Sequence, residues 1–491
     1  MISIAQMLHR LFIARVALAA TWLLAMTCTE ASAQIPQLFE PLAATAAADI
    51  NPQQAQALSR IRARPTTGSV TLMRVNAAAL TSRDISVKLA ADTQIPVRYD
   101  QSEIVGRMLV WKGAVPNVPG QATFVVEDGN ITGTVDNNGQ IYRVEPIGSG
   151  VHAVIKLDSS RLPPDHPPSF ADKERIAPSS APTPSSSPRK KLGGASSRLG
   201  DTRAPSTAPT VIDVLVAYTR DASGAVANIN SLIALAVAEA NQSYVNSQIG
   251  IRLSLVNTMQ VEYSEDGKTF ETILGDLVSD PGIKMRRDID SADLVAMIIN
   301  KSDFCGLADA IRATSDTAYA VIYFDCATGY YSFAHELGHL MGARHDMAND
   351  PSKSPFSYGH GYQYLSGATK WRTIMAYDCA GGCVRLQYWS NPLVRHGGVP
   401  MGTIASNNNA RVLNETASEV ASFRSAPLAL NAVQGMQTGS VGSTDAVYAR
   451  SDRSSGGHRT TCVARIPRVA WRQRFIPHEP TAGAPFNSSI N

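Results

Sequence analysis

The chain has 491 residues, 44% hydrophobic and 17% charged, with a formal net charge of +3. That length accommodates two or three domains, and the balance is that of a chain able to bury a sizeable core. A net charge so close to zero gives no reason to expect a nucleic-acid partner.

Residues 1–33 read as a secretory signal. Arg10 and Arg15 supply a positive start, residues 16–26 an apolar run, and Ala31-Ser32-Ala33 a small-residue cleavage site. The run is too short to remain as a membrane span, and no later segment reaches the ~18 continuous apolar residues a span needs. The mature chain is therefore expected to be secreted, extracellular or periplasmic, with no stable membrane insertion.

Residues 34–161 form an expected β-rich pro-region. Its first part, to about residue 65, is Ala- and Gln-rich and reads as one helix. Strand patterns then begin near Ser69, with β-branched runs at 123–127, 131–135, 141–144 and 151–157. Asp128-Gly129 and Asn138-Gly139 fall between runs, where tight hairpins need residues tolerant of positive φ. The expectation is a small antiparallel meander, with His152 in a structural role. Residues 162–209 are dense in Pro, Ser and Ala and read as a linker too poor in apolar residues to fold. Arg189-Lys190-Lys191, Arg198 and Arg203 make it the expected place of activation cleavage.

A second domain is expected over 210–425. Strand-like runs at 211–218, 251–263, 294–299 and 320–324 alternate with helical patterns at 225–248, 270–278 and 330–342, and a last helix covers 408–423. Such alternation predicts an α/β domain with a partly parallel sheet. Residues 426–491 are polar and basic with little periodicity, a low-complexity C-terminal extension. Of the five cysteines left after signal removal, the short-loop pairing Cys305 with Cys326 and Cys379 with Cys383 is favoured for an exported chain, leaving Cys462 over.

Residues 335–346 read HELGHLMGARHD. On a helix His335 and His339 share one face, so both imidazoles reach one metal. Glu336 is placed beside the open coordination position. Gly342 lets the chain leave the helix with positive φ and bring His345 back to the same ion. Three neutral imidazoles leave zinc one place for water, the pattern of a catalytic site. Two other readings fit three histidines: a catalytically silent zinc-binding adhesion module, and a zinc amidase acting on a non-protein amide. Scattered Asp and Asn form no readable calcium motif, so Ca2+ stays open.

This segment resembles the metzincin metalloendopeptidases, whose HExxHxxGxxH motif is followed by a Met-turn. Thr373-Ile374-Met375-Ala376-Tyr377 matches that turn. The resemblance implies an α/β (α+β) catalytic domain with a mixed sheet and an active-site helix. It implies Met375 as an apolar floor under the histidines, Tyr377 as an extra ligand or oxyanion stabiliser, and Asp346 as a structural hydrogen-bonding residue. The finer similarity, over about residues 210–425, is to bacterial peptidyl-Asp metalloendopeptidases, carried by YSFAHELGHLMGARHD, TIMAYDCAGGC and LQYWSNP. It implies protein or peptide substrates, cleaved by zinc-activated water with Glu336 as general base on the N-terminal side of Asp. Arg385 and Arg372 are candidates for the cationic pocket, beside the plainer reading of solvated surface arginines. The pro-region is expected to act as an intramolecular inhibitor. With the signal gone it holds no cysteine to block zinc. Asp201 stands as a candidate for that part, beside the reading of an ordinary linker turn.

Overall fold

A computed structural model of the chain describes residues 35–43, 50–167, 208–367 and 369–424. The expected signal segment, the basic cleavage sites, Asp201, Cys462 and the C-terminal extension lie outside the described residues.

The N-terminal β-rich region is larger than the small meander expected. Strands β1 (Phe39–Pro41), β2 (Thr67–Val75), β3 (Asp84–Lys88), β4 (Gln94–Val105), β5 (Met108–Ala114), β6 (Gly120–Glu127), β7 (Asn130–Asn137), β8 (Gln140–Gly148) and β9 (Val151–Leu157) form one sheet. Its order is β1-β2-β9-β8-β7-β6-β5-β4-β3, with every pairing antiparallel. The two expected hairpin dipeptides do turn the chain, all four residues having positive φ. Phe39, Trp111 and Phe124 fill the core, the last two stacked at 5.7 Å. His152 is fully buried there and its Nε2 accepts from the Ile131 amide at 2.9 Å, a structural placement. The first helix is shorter than expected. Helix α1 (Pro52–Ala63) starts where Asn51 and Gln54 cap each other reciprocally.

The second sheet has the order β11-β10-β12-β14-β13. Strands β10 (Thr210–Thr219), β11 (Ile251–Val261), β12 (Leu294–Ile299) and β14 (Tyr319–Tyr323) run parallel, and β13 (Gly306–Ala308) pairs antiparallel with β14 at one edge. Every residue of β12 and β14 is buried, as a sheet covered on both faces requires. Helices α2 (Arg220–Ala225), α3 (Ile229–Asn246), α4 (Phe270–Ser279) and α5 (Pro281–Ile289) connect the parallel strands. The sequence reading missed α5, although Asp280 caps it and Pro281 begins it.

Helix α3 is buried over most of its surface because it is covered on two sides. One side packs on the parallel sheet. On the other, Ala234, Leu235 and Ala238 share a core with Val110 and Val125 of the N-terminal sheet. Polar contacts cross the same boundary: Thr134 donates to Glu239, and Arg143 pairs with the buried Asp325. Burial pushes the Glu239 carboxyl up to about 7.

Both expected disulfides are present. Cys305–Cys326 ties the start of β13 to the short helix α6 (Phe324–Ala327), and Cys379–Cys383 closes a five-residue loop. Helix α7 (Ser332–Leu340) carries the HExxH residues. Two-residue strands β15 (Gln363–Tyr364), β16 (Trp371–Arg372) and β17 (Val384–Arg385) follow, then the hairpin of β18 (Asn391–His396) and β19 (Val399–Met401), and α8 (Asn409–Val420). Among the described residues no helix is long and apolar enough to cross a membrane.

Candidate active site

Helix α7 is buried along its whole length. Two glycines let its surroundings close in. A Cβ at Gly338 would lie 2.6 Å from the Trp389 ring and 3.1 Å from Met375 Sδ, so Met375 presses against the face of the helix between His335 and His339. Gly342 has φ +103°, and the chain turns there after the helix, as expected.

His335, His339 and His345 converge. The Nε2 atoms are separated by 3.1 Å (His335 to His339), 3.0 Å (His339 to His345) and 3.3 Å (His335 to His345). The outer nitrogens of two rings are held by the chain. His335 Nδ1 lies 2.8 Å from the Ile374 carbonyl and 2.6 Å from Arg385 Nη2, and His339 Nδ1 lies 2.9 Å from the Ala343 carbonyl. Arg385 Nε and Nη2 both donate to the same Ile374 oxygen, Nε at 3.0 Å. Burial lowers the affinity of all three rings for a second proton, keeping them neutral.

Three neutral imidazoles thus bring their Nε2 atoms to one point, where each can offer a lone pair. Without a cation this is repulsive. With one, it is a ligand set whose mutual spacing is close to the ~3.3 Å expected between tetrahedral donors about 2.0 Å from a zinc ion. The residues thus fit a bound metal, and the hydrogen-bonded Nδ1 atoms supply the outer support such ligands require. Asp378, Cys379 and Cys383 also lie close together, but both sulfurs are committed to a disulfide.

Glu336 is buried beside this cluster, and burial raises its carboxyl above the usual range. Edge strand β13 comes so near that a Cβ on Gly306 would fall 2.3 Å from Glu336 Oε1. Gly306→Ala is expected to displace that carboxylate and lower kcat/KM about 10²-fold, with metal content unchanged. Steady-state kinetics beside metal analysis checks this.

The Tyr377 ring packs 4.2 Å from His345, centroid to centroid, and burial together with nearby carboxylates keeps its hydroxyl protonated. Asp346 accepts from the Tyr377 amide at 3.0 Å and from Ala348 and Asn349, linking the third-histidine loop to the Met-turn.

Arg372 and Arg385 are not solvated surface residues. Both are buried against the Tyr330 ring, and Arg372 Nη2 donates to the Tyr330 hydroxyl at 2.6 Å. Asp165 joins them, with oxygens 3.0 Å from Arg385 Nη1 and 3.6 Å from Arg372 Nη1. Asp165 and its neighbour His166 belong to the stretch expected to be an unfolded linker. That expectation fails for residues 162–167, which run into the site. His166 and Pro167 are buried there. The available signal was local composition: an Asp-His pair flanked on both sides by Pro-Pro, in a segment otherwise rich in Ser and Ala.

This fold and this cluster define a metallopeptidase domain, and residues 208–390 match the model of Metallo-peptidase family M12. The chain is 40% identical over 418 residues to a peptidyl-Asp metalloendopeptidase of Stenotrophomonas maltophilia (strain R551-3), spanning 80% of this chain and 95% of that protein. It is 38% identical over 411 residues to a peptidyl-Asp metalloendopeptidase of Xanthomonas campestris pv. campestris, spanning 79% and 92%. A peptidyl-Asp metalloendopeptidase of Pseudomonas fragi is 42% identical over 186 residues, 38% of this chain and 100% of that protein. The chain belongs to the peptidyl-Asp metalloendopeptidase family. It is a metalloendopeptidase, and the readings as a silent binding module or a non-protein amidase are set aside.

Proposed function

We propose that the chain is a secreted zinc endopeptidase, made as a zymogen, that cuts peptide bonds on the N-terminal side of Asp. The observation that carries the proposal is the convergence of three neutral imidazoles beside a buried carboxylate. His335, His339 and His345 would hold the ion, which when bound polarises the scissile carbonyl and makes water acidic enough to lose a proton near neutral pH. Glu336 takes that proton as water attacks and returns it to the leaving amine, and its raised pKa suits both halves of the task. The protonated Tyr377 hydroxyl is a donor for the oxygen on which charge develops. Met375 and Asp346 act on geometry, the first packed against α7 and the second bracing the turn that carries Tyr377.

The acidic preference is supported by the names of the relatives and by the Arg372–Arg385 pair, which already holds one Asp carboxylate in this chain. A buried guanidinium suits a carboxylate and leaves an amide poorly matched. In the matured enzyme, a peptide library is expected to show cleavage before Asp. Arg385→Gln should cut the Asp-over-Asn ratio of kcat/KM by about 10²-fold, since a charge-assisted hydrogen bond contributes about 2–3 kcal/mol. A ratio unmoved by that change places the acidic pocket elsewhere. Export is supported by the signal-like residues 1–33 and by the two disulfides.

A further inference from the structure

The open side of the imidazole cluster is covered by the chain itself. His166 lies 170 residues before Glu336, yet its ring centroid is 4.9 Å from that of His335, 5.0 Å from His339 and 4.8 Å from His345. Its side chain has no exposed surface, and its ligand atom falls in one group with those of the other three histidines. Nε2 stands 3.0 Å from Glu336 Oε1, at the place from which a general base has to take a proton. Nδ1 lies 3.2 Å from the Tyr377 hydroxyl. One ring thus contacts both groups assigned to the chemistry and closes the face left by the three donors.

The backbone just before His166 is also tied to the catalytic domain. The amides of Cys305 and Gly306, at the start of edge strand β13, donate to the carbonyls of Pro164 (2.9 Å) and Asp165 (3.1 Å). The Asp165 side chain is meanwhile held by the two arginines proposed to read acidic substrates. The segment between the pro-region and the catalytic domain therefore presents an acidic side chain, two anchored backbone carbonyls and an imidazole ring, all to one site.

We propose that Asp165-His166 is the latency device of the uncleaved chain: the His166 imidazole is the fourth donor to the zinc, and Asp165 fills the acidic-residue pocket as a substrate mimic. This rests on the zinc-peptidase reading above. Activation is then a ligand exchange without redox chemistry. Cleavage in the segment after Pro167 frees residues 162–167 to leave, and water takes the place of the imidazole. Asp201 is not needed for this block.

The test uses the full-length, zinc-loaded chain, its length verified by mass spectrometry. Zinc K-edge X-ray absorption should give four imidazole donors for the wild type and three plus one oxygen for His166→Ala. Acetohydroxamate, a small bidentate metal ligand, should bind His166→Ala at least about tenfold more tightly than the wild type. Asp165→Asn, which keeps the imidazole, should tighten binding by a smaller factor. The wild-type spectrum needs no variant, so a folding defect in His166→Ala leaves the proposal exposed to refutation. Three imidazoles in the intact wild-type chain, with equal acetohydroxamate affinity in wild type and variants, would overturn it. A four-to-three change on maturation in a chain that hydrolyses no peptide would uphold the device while refuting the peptidase reading.

Discussion

Replacing Glu336 by Gln in the matured enzyme is expected to lower kcat/KM by about 10³- to 10⁴-fold, the upper range for loss of a general acid–base group. Zinc content should not change. Glu336 is not among the three converging Nε2 atoms, and Gln is nearly isosteric in a site where Gly306 leaves just enough room for the carboxylate. The amide keeps the shape and loses the ability to accept a proton. Because burial pushes the Glu336 carboxyl up, the group operates nearer neutrality than an exposed Glu would. Retention of more than about a tenth of wild-type turnover would remove Glu336 from the proton-transfer step.

The second large effect is expected at His339. Its Nε2 is within 3.1 Å of both other donors, and its Nδ1 is tied to the chain that carries His345 back. In the matured enzyme, without residues 162–167, His339→Ala leaves only His335 and His345, too few imidazoles to retain zinc against dialysis. Metal analysis should give less than about 0.1 zinc per chain, and hydrolysis should fall to background. Chelation of the wild type should lower its melting temperature, because a ligand present at ~1,000 times its Kd stabilises the folded state by about 4 kcal/mol. The variant's melting temperature should be insensitive to chelator. A variant that keeps one zinc per chain, or one that melts lower on chelation, would place the ion on other residues.

The catalytic motif was legible because its geometry is local. Two histidines one helical turn apart and a glycine two residues beyond the helix end specify their own arrangement over eleven positions. The parallel strands were legible as continuous apolar runs, and the disulfides as short loops. What escaped the sequence reading depends on distant partners. Helix α3 is buried on opposite sides, which only its packing between two sheets explains. Strand β13 has three residues, too few to carry a period, although it supplies the edge beside Glu336. For Arg372 and Arg385 the pocket and surface readings both stayed open, because nothing near them in sequence announces Asp165, which lies 220 residues before Arg385. His166 was hidden for the same reason. A proline-flanked Asp-His pair gains its meaning from a site assembled well over a hundred residues later.

The central claim is that His335, His339 and His345 hold one catalytic zinc. A crystal structure of the full-length chain, with anomalous difference maps on either side of the zinc K edge, tests this most directly. The account predicts a single strong peak about 2.0–2.1 Å from each of the three Nε2 atoms. A map empty there, or a peak at Asp378 or elsewhere with the three rings turned apart, would contradict it.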